Sequence, residues 1–177
     1  LDAGNVEQAA KLLENHPQER SALLAAAHER KKTMVLSLIQ IIRGSSPSDR
    51  EENVIEAALT VLENTCANPV LADLLQVVRD APEPVRMAAL DRGSLDRYKQ
   101  VTEELEASLM ALLNGRLGGI FASATTTPMM MDRSVVFDVH DMLHEHSDLQ
   151  AAVLLASWSY GFATVEISQT LADAGVA

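Results

Sequence analysis

Residues 94–139, SLDRYKQVTEELEASLMALLNGRLGGIFASATTTPMMMDRSVVFDV, decide how this chain is read. Ser94 is a helix-capping residue, and Asp96 in the first turn complements the helix dipole. Behind them Leu95, Tyr98, Val101, Leu105, Leu109 and Leu112 recur at steps of three and four, the spacing of one helix face. Gly115 closes that helix, and Gly118-Gly119 predicts a sharp bend. A polar loop, Thr125 to Pro128, leads to Ser134–Val139. That segment is apolar enough for a strand buried on both faces, as in a parallel sheet. The stretch therefore predicts a junction between a helical bundle and the edge of a sheet.

Working upstream, the same periodicity continues. Val85 to Leu90 is at most a short helix, after a turn at Asp80 to Pro84 with two prolines. Leu71, Leu74, Leu75 and Val78 form the inward face of a short helix after Asn68-Pro69. Ser48 and Glu51 make a capping box in front of Val54, Ile55, Ala58, Leu59 and Leu62, a stripe that runs to about Cys66. Pro17 suits the first position of a long helix that ends at Gly44. Its apolar series is Leu24, Ala27, Met34, Leu38 and Ile41. From Met34 to Ile42 nearly every side chain is apolar, so this part is buried on most sides or meets another protein surface. A buried strand is the competing reading of that run; the helical spacing upstream favours helix. At the start, Asn5 with Gln8 predicts a cap for a helix carrying Val6, Ala9, Ala10 and Leu13.

Downstream, His140 to His146 reads as loop. Ser147 with Gln150 caps a last helix, about Asp148 to Ala172, whose Ala151–Trp158 part is apolar nearly all round. The order is thus about five helices, one strand and one helix: mainly α, with residues 1–124 as an all-helical subdomain and 125–177 as loop, strand and helix of an α/β core. A lone strand needs partners from outside these residues or from another copy. The opening Leu1 suggests a segment of a longer protein.

Composition narrows the function classes. The 177 residues carry a formal net charge of −11, which disfavours a general nucleic-acid binder. One cysteine excludes an internal disulfide framework and fits a reducing compartment. No apolar run is long enough to span a bilayer, and no signal-peptide pattern opens the chain.

Several groups could carry chemistry. His140, Asp141, His144, Glu145 and His146 are the most ligand-like, since His at a spacing of four on a helix can share a metal. Here they fall in a loop without a defined third ligand, and a solvated polar loop is the plainer reading. Strand carboxyl ends are where open α/β sheets bind ligands, which leaves that loop a functional chance. Asp138 near the strand end could touch a bound magnesium or water, yet an ordinary polar residue at the sheet rim accounts for it. His28, Arg30, Lys31 and Lys32 could meet phosphate; with Glu29 beside them, a solvated helix face fits better. Cys66 has no neighbouring His or Asp and reads as a small buried apolar residue. Met129-Met130-Met131 reads as core or interface filler. Gly115, Gly118 and Gly119 do not make a phosphate loop: GxxxxGK followed by Ser or Thr is absent from the chain, as is an apolar strand ending in Asp-Glu. No catalytic, cofactor-binding or metal residue is assigned.

A family resemblance runs through these same residues. LEASLMALLNGRLGGIF (Leu105–Phe121), the following ATTTP and SVVFDV resemble the helix, bend, polar loop and strand of conjugative type IV secretion ATPases, the TraC/TrsE-like members of the FtsK/HerA-related P-loop superfamily. LQAAVLLASWSYGFA after Ser147 is similar to their helix before the Walker B strand. PVLADLL from Pro69 and LDAG at Leu1 resemble two further family segments, in the family's order. The resemblance implies the interval between Walker A and Walker B, where an all-helical subdomain is inserted into a RecA-like nucleotide core. It implies ATP and Mg for the parent protein and none in this part, whose residues include neither phosphate loop nor Walker B acid. It also implies a homo-oligomer, often a hexamer, at the cytoplasmic face of the membrane, with secretion-channel proteins as partners, no membrane insertion, and no direct nucleic-acid contact from this part. The alternatives are a DNA-translocating ATPase of the FtsK/HerA type and a stand-alone helical interaction module without enzymatic activity.

Overall fold

A computed structural model describes residues 6–115, 117–123, 136 and 147–176. Among them are eight helices: α1 Val6–Leu12, α2 Pro17–Arg43, α3 Asp49–Thr65, α4 Leu71–Asp80, α5 Glu83–Ala88, α6 Leu95–Asn114, α7 Gly118–Phe121 and α8 Ser147–Asp173. The protein is mainly helical, as the spacing predicts. Of the expected strand Ser134–Val139 only Val136 is described. It has no regular secondary structure and is exposed, so the burial expected of the strand is not met at that residue.

The chain forms two compact units. The first spans residues 35–126, the second joins residues 2–34 with 127–177. Helix α2 contributes its C-terminal part to the first and its N-terminal part to the second.

In the first unit α3 packs on α4 and α5, α4 packs on α6, and α6 packs on α7. The inward stripe of α3 is the one its periodicity predicts: Val54, Ile55, Ala58, Leu59 and Leu62 are all buried. So are Leu71, Leu74, Leu75 and Val78 on α4. From α6 come Tyr98, Leu105, Leu109 and Leu112; Leu95, predicted on the same face, is exposed where the helix begins. Each fully buried aliphatic side chain contributes roughly 1.5–3 kcal/mol of transfer free energy.

Capping fixes the helix ends. The Glu51 N–H donates to Ser48 Oγ at 3.4 Å, and the Ser48 N–H donates to Glu51 Oε2 at 2.8 Å, which completes the predicted capping box. On α4 the Val70 N–H donates to Asp73 Oδ2 at 2.8 Å, although Val70 has no polar side chain to reciprocate. Gly44, at φ +74°, ends α2 in the left-handed region that favours glycine. The predicted bend at Gly118-Gly119 is instead the start of the short helix α7. A Cβ on Gly118 would lie 2.1 Å from the Leu113 carbonyl oxygen, so the return of the chain onto the end of α6 requires glycine there.

In the second unit α1 packs on α8. Val6, Ala9 and Leu13 cluster with Leu23 and Ala27 of α2 and Ile167 of α8, with Leu171, Ala174 and Val176 packed against them. Of the predicted α2 series Ala27 is buried as expected, but the leucine before it is misassigned. Leu23 is buried and Leu24 is 40% exposed. Both leucines fit a three-four spacing with Ala27, so only packing separates them. The cap expected from Asn5 lies outside the described residues.

Candidate functional site

The basic run on α2 is less solvated than its charges suggest. His28, Arg30, Lys31 and Lys32 are all half-buried, and Glu29 alone is exposed. Arg30 forms an ion pair with Glu166 of α8, and Lys32 donates to Glu29 at 3.0 Å. Arg30 and Lys32, two of the cations that might meet phosphate, are thus engaged with carboxylates of the chain itself. The expected solvated face is corrected to a partly buried one, because the Arg30–Glu166 pair holds α2 on α8.

Cys66 is not buried as predicted. It is a half-buried free thiol at the C-cap of α3, where its N–H donates to the Leu62 carbonyl. Placed at the cap, its side chain leaves the inward stripe of α3. Asp138, the cluster His140, Asp141, His144, Glu145 and His146, and Met129-Met130-Met131 lie outside the described residues. The apolar band Met34–Ile42 does not offer a contact surface: Val35, Leu38 and Ile39 are fully buried, and the remaining apolar members are half-buried.

Two polar arrangements were not foreseen from the sequence. Arg43, the last residue of α2, donates from Nη2 to Glu51 Oε1 at 2.7 Å and from Nη1 to Oε2 at 3.1 Å. It also donates to Ser108 Oγ at 2.8 Å and to the Glu104 carbonyl at 3.2 Å, both on α6. Burial would raise the Glu51 pKa, but hydrogen bonds from Arg43 and from the Ser48 N–H and hydroxyl outweigh it and hold the carboxyl below its usual value. The hydrogen bond to Glu51 raises Arg43 in turn. This is a structural clamp among three helices.

The second is an open groove of about 700 Å³ over α4 and α6. Arg79 and Glu106 close part of it as a 2.8 Å ion pair, and Tyr98 donates to the Val78 carbonyl at 2.6 Å beneath it. Burial, with Glu106 and Asp91 nearby, pushes the Tyr98 phenol up to about 12. The phenol is therefore a neutral hydrogen-bond donor committed to the backbone.

What remains is a surface. On α8, Leu154, Trp158, Phe162 and Val165 are 40%, 66%, 70% and 63% exposed. Their spacing puts them on one side of the helix, opposite the buried Ala152, Ala163 and Ile167. Between Asp148 and Glu166 there is no charged side chain. The sequence shows this helix as apolar nearly all round; it does not show that only one side is covered. The outer face is the largest group of exposed apolar side chains on one helix among the described residues.

No family model, no curated protein and no solved structure matches this chain.

Proposed function

We propose that this chain is the part of a conjugative type IV secretion ATPase between its two nucleotide-binding motifs, and that it acts there as a helical protein-interaction subdomain. What supports the reading is the all-helical character of the described residues in the unit 35–126, since the resemblance implies an all-helical subdomain over residues 1–124. The ordered succession of weak motifs from Leu105 to Phe121 and beyond adds to it. In this reading the parent protein binds ATP and Mg, assembles as a homo-oligomer at the cytoplasmic face of the membrane, and couples hydrolysis to pilus assembly or substrate transfer. Among the described residues no helix is long and apolar enough to cross a membrane.

The chemistry sets a clear test. Phosphoryl transfer needs a backbone cradle for the phosphates, a lysine on them and a metal held by hydroxyl and carboxylate groups. The 177 residues contain no sequence pattern for these. The chain alone is expected to show no Mg-dependent ATP turnover above buffer. A longer protein from the same gene, with GxxxxGK upstream and an acidic strand end downstream, is expected to hydrolyse ATP. Turnover by the 177-residue chain itself, or a gene lacking both motifs, would overturn the proposal.

The outward apolar face of α8 favours a second reading, a helical interaction module with no nucleotide chemistry anywhere in its protein. The gene-level half of the same test separates the two.

A further inference from the structure

We infer that the outer face of α8 is a self-association surface, pairing with the same face of a second copy of this chain in an antiparallel, two-fold arrangement. This goes beyond the ATPase reading and sides with the interaction-module one, since α8 as a helix of the parent protein's α/β core would have a sheet to pack on. Ala151, Leu154, Trp158, Gly161 and Val165 recur at steps of three, four, three and four, the seam spacing of paired helices, with Phe162 at its side. The seam is self-complementary. With the two-fold axis between residues 159 and 160, Trp158 lies over the partner's Gly161 and Leu154 over the partner's Val165. A Cβ added at Gly161 meets nothing within 4 Å, so the space over this glycine is open to a side chain of a second copy. An isologous contact uses ring and open space twice, once from each copy.

Charge and area both bear on the choice of partner. Each copy carries −11, so most faces of two copies repel. The span between Asp148 and Glu166 is without charge, so two copies can meet there with no like-charge pair in the seam. The exposed fractions of the four large side chains correspond to about 400–500 Å² per copy. Doubled, that is about 900 Å², and with the seam's small residues it approaches the ~1,000 Å² that a specific interface needs. The expected complex is therefore a weak dimer, with a dissociation constant on the order of 10 μM.

Trp158 is the only tryptophan, so its emission reports directly on this face. Sedimentation equilibrium and Trp fluorescence on the whole chain, from about 1 to 300 μM, are expected to show mass rising from monomer to dimer. A blue shift of the emission should follow the same concentration dependence. Added NaCl should strengthen association, because it screens the repulsion of like-charged bodies while leaving an apolar seam intact. Gly161→Leu fills that space and should weaken association at least about tenfold while helix content and thermal stability hold or rise. Phe162→Asp should do the same through a buried charge. A monomer throughout the range would overturn the inference. So would emission that is already blue and independent of concentration, which would mean that the chain covers its own face. A dimer indifferent to Gly161→Leu and Phe162→Asp, or one weakened by salt, would place association on another surface and overturn it as well.

Discussion

Arg43 and Glu51 are the polar residues whose loss should be felt most sharply. Their side chains are largely buried, and the pair ties the end of α2 to the start of α3 and the middle of α6. Removing one partner leaves the other charge partly unsatisfied, and Glu51→Ala also breaks the capping box. The expected cost is about 2–4 kcal/mol, readable by urea denaturation. The pH dependence follows from the lowered Glu51 pKa. Its contribution is present above the unfolded carboxyl value of about 4.5 and is lost as pH falls through the lower folded value. Thermal stability should thus decline below about pH 4.5, and Glu51→Gln should flatten that decline. Leu90 tests backbone strain. It sits at φ +55°, exposed, in the turn where the buried Asp91 accepts from the Gly93 N–H and from Arg86. A left-handed leucine costs roughly 1–2 kcal/mol, so Leu90→Gly should be neutral or stabilising by up to about 1 kcal/mol, against the usual sign of such a change. Neutral behaviour of Glu51→Ala, or a loss for Leu90→Gly, would show these local accounts to be mistaken.

At the scale of elements, most of the helices could be read from the sequence. The inward stripes of α3 and α4 and the capping box at Ser48 match the structure residue by residue, because three-four spacing and capping are local rules. Which leucine of the first half of α2 faces inward was not legible. Leu23 and Leu24 both continue the spacing to Ala27, and the choice belongs to α1 and α8, which pack against it. Leu23→Ala is therefore expected to cost about 2–5 kcal/mol and Leu24→Ala under about 1 kcal/mol, measured by thermal or chemical denaturation. Equal costs would favour the register predicted from spacing alone. Cys66 was misplaced for a similar reason: it follows the α3 stripe in spacing, but the helix stops one residue short of it and turns it to the cap. On α8 the apolar character was evident and its consequence was not. Nothing local distinguishes Ala163, which is buried, from its neighbour Phe162, which is exposed.

For the whole molecule, net charge governs behaviour in solution. At neutral pH the −11 charge makes copies of the chain repel one another. With a sequence pI of about 4.8, solubility should pass through a minimum near that pH and recover on either side, as turbidity would record. Maximal turbidity well above neutral pH would contradict it. The sequence by itself determined the helical class, the positions of most helix ends, the acidic surface and the absence of a phosphate loop, since each rests on nearest-neighbour spacing or on composition. Only the tertiary structure decided that the apolar band after Met34 is core and not a contact surface, that Arg43 joins three helices, and that the side of α8 bearing Trp158 and Phe162 is left uncovered. Those outcomes depend on which faces meet across large sequence separations, and periodicity along one helix does not contain that information.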